Sequence, residues 1–506
     1  MKKTKRFLFM AMILGLVLSV ATVYAGGGGE AQGSGAMAAG KTIVIGMDQE
    51  PETLDATTNG LHLVRWVTDP MYGRLIRLDA SGTKFLPAVA ESWSYVTDKK
   101  IEFKLREDVV FHNGRALVAE DIVYCLEVQT DETYGGVQYN GFAPYVESIE
   151  APDDYTVVID LKSPYPAVLS IIVQIPIFAP EAADAVGTAP VGCGPFKFIS
   201  WDKNQALKLE AFDGYYEEGV PAFDYLTYNF YAEYNTCLTA YMSGEVDLIN
   251  WMSPIDVPTI EGLGDSYTQA ALAGIYYFQG RMTDEPFSTP GVMRALSLAI
   301  DRDEMNELIL DSKGMPAWLP LNPNDYYYPA DIEYKTDLDK AKKLLADAGY
   351  PNGFTCSLLA PLTAVEGVMA EVLQAQLARI GVTIELDVLE VPAFLDKWRS
   401  GNFDLAICGH GFEIDPSVLL NRWMSTDTRN YGHYSNPEFD KLCAEAVVTV
   451  DQAKRKELYY KAYHVFVEDS AIIYCMGENR YSAVRNNIKG LIKTGPFNDY
   501  TRLTIE

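Results

Sequence analysis

Histidine, paired cysteine and long apolar runs are what this sequence has least of. Five His among 506 residues, with no metal-ligand spacing, speak against a zinc site, and no metal or other cofactor is expected. The seven Cys (125, 193, 237, 356, 408, 443 and 475) contain no C-x-x-C pair, and most sit in apolar strings that suit small buried side chains. Their odd number leaves at least one thiol free in an exported chain, and no disulfide pairing follows from the spacing. The G-x-S-x-G elbow, H-E-x-x-H and G-x-x-x-x-G-K-[ST] are all missing, so no enzyme class is indicated. Cations are also scarce: 41 Lys and Arg face 69 Asp and Glu, for a formal charge of -28. So acidic a surface repels phosphate backbones and anionic lipid, which disfavours nucleic acid as a partner.

Beyond residue 40 there is no long apolar run; the one that exists is at the start. Lys2, Lys3, Lys5 and Arg6 precede the apolar stretch Phe7 to Val20, and Val23-Tyr24-Ala25 has the small-residue form of a signal-peptidase site. A spanning helix needs about 20 apolar residues, so residues 1–25 read as a signal peptide. Cleavage there removes four positive residues and no negative one, taking the charge from -28 to -32. The first Cys is Cys125, so a lipid-anchoring Cys at the cleavage site is lacking, and a soluble periplasmic or extracellular protein is expected. Residues 26–40, almost wholly Gly, Ala and Ser, read as a flexible linker. The 466 residues from Lys41 exceed one ordinary hydrophobic core, so two or three domains are expected.

Periodicity supplies the fold class. Phe354 to Leu359 reads as a strand, and Val365, Val368, Met369, Val372, Leu373, Leu377 and Ile380 form a helical stripe that Gly381 ends. Val382, Ile384, Leu386 and Val388 alternate with polar residues as a half-buried strand, a helical stretch covers 394–399, and Phe403 to Ile407 is an apolar strand. That succession predicts α/β structure with parallel strands and crossover helices. Thr289-Pro290, Asp337 and Asn436-Pro437 predict helix starts, and Gly349 predicts a stop. Residues 86–160 are instead rich in short strands and turns, which marks a separate β-rich part.

Several strings resemble those of a known family. Leu86-Pro87-Ala88-Val89-Ala90-Glu91-Ser92-Trp93, Leu105-Arg106-Glu107-Asp108-Val109-Val110-Phe111-His112-Asn113-Gly114 and Ala119-Glu120-Asp121-Ile122 are similar to the opening motifs of extracellular solute-binding proteins of family 5, the peptide/nickel type. Val191-Gly192-Cys193-Gly194-Pro195-Phe196 resembles that family's G-T-G-P-Y/F, with Cys for Thr. Ser243-Gly244-Glu245-Val246-Asp247, Arg294 to Arg302, Ala341 to Tyr350 and Tyr434 to Asp440 continue the series in the family's order.

The resemblance implies a type II periplasmic-binding-protein fold: two lobes with a hinge, plus an extra β-rich subdomain. Residues 41–82 with 187–278 and 478–506 would form lobe I, 83–186 the extra subdomain, and 279–477 lobe II. The implied role is the substrate-binding component of an ABC importer, a monomer that hands a small organic ligand to a membrane permease. A short peptide leads as ligand; an oligosaccharide is the alternative, suited by 32 Tyr and 7 Trp, and chelated nickel ranks third. Peptide-binding members place an acidic residue past the strand that matches Phe403–Ile407, where it meets the ligand's α-ammonium. Here Glu413 or Asp415 occupies that place; alternatively Glu413 is a solvated loop charge and Asp415 starts a turn ahead of Pro416. Val391 stands where oligopeptide binders carry Trp, which weighs against long peptides. Trp423 either stacks on a ligand or fills the core. Tyr277 and Gln279, on the expected crossing between lobes, either reach the cleft or belong to a buried strand. Gly192 and Gly194, flanking Cys193, either bring backbone close to the cleft or make a plain turn.

Overall fold

A computed structural model describes residues 40–506 apart from 81, 83, 322–324, 333, 334, 364, 412, 414, 495 and 496. The signal peptide and all but the last residue of the linker lie outside the described residues. No helix among the described residues is long and apolar enough to cross a membrane.

The strand–helix succession is present. Thr355–Pro361 pairs in parallel with Thr383–Leu389 on one side and Leu405–Gly411 on the other. The helices Glu366–Ala378 and Val391–Arg399 make the crossovers. Met369, Leu373 and Leu377 are fully buried, as the stripe predicts. Gly349 and Gly381 end their helices at φ +93° and +84°, where a side chain would be strained. Asp337 accepts from the Lys340 amide at 2.9 Å, and Asn436 accepts from Glu438 at 2.9 Å, so both expected caps form. The start predicted at Thr289-Pro290 does not. The helix is Val292–Ala299, and Gly291 at φ +89° is its N-cap. The Thr289 hydroxyl donates to Glu285 instead.

These strands belong to an eleven-stranded mixed sheet. Its order is Thr383–Leu389, Thr355–Pro361, Leu405–Gly411, Ser266–Gly280, Ile472–Val484, Leu248–Met252, Thr42–Met47, Tyr225–Phe230, Ala206–Ala211 and Phe196–Asp202, with Met315–Pro316 beside Ile472–Val484. The two longest strands, of 15 and 13 residues, run antiparallel through its middle. Their register slips between Ala270 and Gly274 and again between Tyr276 and Tyr277. One half of this ribbon packs with residues drawn from 237–260. The other half packs with two cores drawn from 275–476, one on each face of the sheet. One continuous ribbon thus feeds several hydrophobic cores.

Residues 90–161 form a second, antiparallel sheet in the order Ala90–Thr97, Lys100–Leu105, Thr156–Leu161, Val146–Asp153. Ile101, Phe103 and Leu105 point inward while Lys100, Glu102 and Lys104 do not, the period-two pattern of a half-buried strand. Its core extends beyond the sheet to Val64, Tyr72 and Leu75 before it and Ile177, Phe178 and Cys193 after it.

Candidate functional site

A cavity of about 750 Å³ lies where three segments meet. His62 and Arg65 enter it from the short helix His62–Thr68, whose other side buries Val64, Trp66 and Val67. Gln138, Asn140, Tyr145 and Tyr165 line it from the β-rich part. Tyr145 and Tyr165 stack face to face, with centroids 3.8 Å apart and planes 7° from parallel. Glu413, Asn421, Arg422, Asp427 and Arg429 line it from the segment after Leu405–Gly411, Asn421 and Arg422 from the short helical turn Asn421–Trp423. The walls are close at one point: a Cβ on Gly411 would sit 3.4 Å from His62 Cε1.

The two acidic candidates have different surroundings. Asp415 is 5 % exposed, and both its oxygens accept from Arg455 at 2.7 Å. It also caps the helix Pro416–Leu420, accepting from the Ser417 amide at 2.9 Å and hydroxyl at 2.7 Å. This carboxylate is already neutralised and hydrogen-bonded, and it is not among the residues lining the cavity. Glu413 lines the cavity and is half-buried, with no ion pair among the described residues. Burial pushes its carboxyl up to about 7, against the pull of Arg422 and Arg429.

Neighbouring groups hold fixed charge near neutral pH. Burial, with Arg65 and Arg480 nearby, pushes His62 down to about 4, so it is uncharged. His410 falls to about 3 through burial and Arg422, and its Nε2 lies 3.2 Å from the Tyr474 hydroxyl. Arg429 holds Asp427 by two hydrogen bonds of 2.9 and 2.7 Å, which keeps that carboxylate below its ordinary value although burial opposes it.

The remaining candidates lie elsewhere. Trp423 is 1 % exposed and packs edge-on against Tyr277 at 5.5 Å, in the core on one face of the sheet. Tyr277 and Gln279 are each 1 % exposed on the strand Ser266–Gly280, and neither lines the cavity. Periodicity explains the pair: Tyr277 and Gln279 share one face of a strand covered on both sides. Cys193 and Gly194 line a smaller cavity of about 300 Å³ instead. The close approach at the glycines is to backbone, not to the large cavity. A Cβ on Gly194 would stand 2.5 Å from the Pro70 oxygen, and the Gly194 amide donates to Met71 O at 2.9 Å. His112 Nε2 meets Gly194 O at 2.9 Å, so two of the family-like motifs hold each other. All seven Cys are buried and free.

Sequence reasoning missed Arg65, Tyr145, Tyr165, Arg422 and Arg429. Arg422 alone had a signal, as a cation beside Trp423 in the loop already singled out. The others reach the cavity only through tertiary packing.

Comparison with known proteins agrees with this architecture. Residues 84–431 match the model for bacterial extracellular solute-binding proteins, family 5 middle region. The chain is 27% identical to the oligopeptide-binding protein AppA of Bacillus subtilis over 97% of this chain and 96% of that protein. It is also 27% identical to the glutathione-binding protein GsiB of Pectobacterium atrosepticum, over 89% and 91%. Among solved structures, the ABC transporter-associated periplasmic binding protein DppA of Helicobacter pylori, in complex with the peptide STSA, has a TM-score of 0.77. It is 25% identical over 92% of this chain and 98% of that one. HbpA2 of Haemophilus parasuis, 24% identical over 92% and 100%, shares the fold at a TM-score of 0.84. Such neighbours are two-lobed periplasmic binding proteins. The chain belongs to family 5 of the bacterial extracellular solute-binding proteins.

Proposed function

We propose that this protein captures a short peptide in the 750 Å³ cavity, as the extracytoplasmic binding component of an ABC importer, and performs no chemistry on it. In this reading residues 41–82, 187–278 and 478–506 act as lobe I, 83–186 as the extra subdomain, and 279–477 as lobe II. The cavity is then the interlobe cleft, and the ribbon of two long strands carries the hinge. The protein works as a monomer outside the cytoplasmic membrane and delivers its ligand to a permease.

The observation that carries the peptide reading is Glu413. A carboxyl facing a partly enclosed cavity, pushed up by burial and without an ion-pair partner, gains most when a ligand ammonium arrives. Tyr145 and Tyr165 add a flat apolar wall for a side chain. The peptide-binding relatives support the same reading.

A thermal-shift screen of the ligand-free protein tests it, with di- to pentapeptides, oligosaccharides and nickel chelates as arms. A ligand at 100 times its Kd stabilises by about 2.7 kcal/mol. Stabilisation by peptides with a free amino terminus, lost on N-acetylation, is expected. Stabilisation by sugars or chelates alone refutes the reading, and so does sustained turnover of any of them.

A further inference from the structure

The cavity's charges run against those of the whole chain. Acidic residues outnumber basic ones 69 to 41 overall, yet the cavity is lined by three guanidiniums, Arg65, Arg422 and Arg429, and two carboxyls, Glu413 and Asp427. Arg429 and Asp427 satisfy each other. On the opposite wall Arg65 is already engaged, 3.7 Å from Asp69 and donating to Gln174 Oε1 at 3.3 Å. Arg422 has no such partner. Among the described residues it forms no ion pair, and its buried Nε meets no acceptor. The adjacent Asn421 Oδ1, also at the cavity, is buried without a donor.

A zwitterionic peptide with one ammonium and one carboxylate leaves this arrangement positive once the ammonium sits on Glu413. A second carboxylate removes the excess. Guanidinium suits that task because its fork of donors matches a carboxylate in charge and shape.

We infer that the cleft selects ligands with more carboxylates than amines, the additional carboxylate being held by Arg422. The inference rests on the peptide reading for the ammonium at Glu413 and is independent of it for the carboxylates. Glu413 and Asp427 reach Arg422 only through space, without an ion pair, which leaves its guanidinium fork open to a ligand carboxylate.

Isothermal titration of the full chain at pH 7.5 tests this, in low and high salt. The probes are Ala-Glu-Ala, Ala-Gln-Ala, Ala-Lys-Ala and glutarate; the proteins are the wild type, Arg422→Gln and Arg422→Lys. The Glu peptide is expected to bind about ten-fold tighter than its Gln isostere, as one added charge pair in a partly enclosed site allows, with the Lys peptide weakest. Arg422→Gln brings the Glu and Gln peptides to within about two-fold, and Arg422→Lys restores most of the difference. The difference narrows in high salt. Equal binding of the three peptides by the wild type overturns the inference and leaves the peptide reading standing. An undiminished preference in Arg422→Gln also overturns it. Binding of glutarate alone, lost in Arg422→Gln, ends the peptide reading and keeps the inference. Binding of none of the four ends both.

Discussion

Ligand binding at Glu413 should release a proton, which gives affinity a distinctive pH profile. In the empty cavity the carboxyl sits at about 7, so close to half of it is protonated at pH 7. A bound ammonium needs the ionised form and draws the pKa back towards its ordinary value of about 4.5 or lower. The sign follows from linkage: the free protein holds more protons than the complex, so affinity rises with pH through this window. For a pKa of about 7 free and about 4.5 bound, affinity at pH 5 is about forty-fold weaker than at pH 7, or about 2 kcal/mol. Above about pH 8 the ligand's own amine deprotonates and affinity falls again. The other titrating groups at the cavity do not blur this window. His62 at about 4 stays essentially neutral across it, and Asp427, held low by Arg429, stays ionised. Trialanine is a suitable ligand because it titrates only at its termini. Calorimetry at pH 7 in two buffers of different ionisation enthalpy should count about half a proton released per peptide bound. Glu413→Gln should lose the slope between pH 5 and 7 and weaken binding by about 2–5 kcal/mol, the usual loss when one partner of a buried charge pair is truncated. Affinity independent of pH over that range in the wild type, or an unchanged slope in Glu413→Gln, would falsify the assignment.

Stability measurements on Glu413→Gln and two further substitutions separate binding from folding. Glu413→Gln should stabilise the ligand-free protein by up to about 3 kcal/mol at pH 8, because a carboxyl whose pKa is raised from about 4.5 to about 7 costs the folded state stability above that range. Denaturant unfolding at pH 4 and pH 8 reads this, with the gain expected only at pH 8. Asp415→Asn should destabilise by about 3–5 kcal/mol by leaving Arg455 buried and unpaired, visible as a lower Tm. The same variant, titrated with peptide well below its Tm, should bind within a few-fold of the wild type, which distinguishes it from Glu413→Gln. Gly194→Ala should cost about 1–3 kcal/mol, since its Cβ lands 2.5 Å from the Pro70 oxygen and backbone must move; urea unfolding checks this.

Legibility in the sequence followed the range of the interactions involved. The stripe from Met369 to Leu377 and the alternation in Thr383–Leu389 report local geometry, and both elements form within a residue or two of their expected ends. Asp337 caps its helix, and Asn436 caps through its Oδ1 while its Nδ2 donates to Asp469 at 2.7 Å. Thr289 does not cap: its hydroxyl donates to Glu285, and the helix starts two residues later behind Gly291. The order of the eleven-stranded sheet was beyond periodicity. Thr42–Met47 pairs with Tyr225–Phe230, some 180 residues away, and two such apolar strands carry no mark of their partner. The family-like motifs reached that far because they record the whole fold. His112 and Gly194 illustrate it, two motif residues 82 positions apart that are joined by one hydrogen bond.

Two carboxylates two residues apart in one loop look interchangeable as text, and only their distant neighbours decide their work. Asp415 meets Arg455, forty residues on, in a doubly hydrogen-bonded pair with side chains 7% and 2% exposed. A charge so placed is part of the framework: its desolvation is already offset, and a ligand ammonium would have to compete with a guanidinium for it. Glu413 faces the cavity with Arg422 and Arg429 felt only through space, and burial prevails over both. The folded state tolerates this poorly solvated carboxyl at some expense to its stability. On the proposed reading that expense is recovered when a ligand ammonium enters the cavity, so the same atoms that weaken the ligand-free protein would make its liganded form selective. A binding protein that must release its cargo has reason to keep such a group unpaired. A permanent partner like Arg455 at that position would stabilise the fold and leave the ligand's amine nothing to bind.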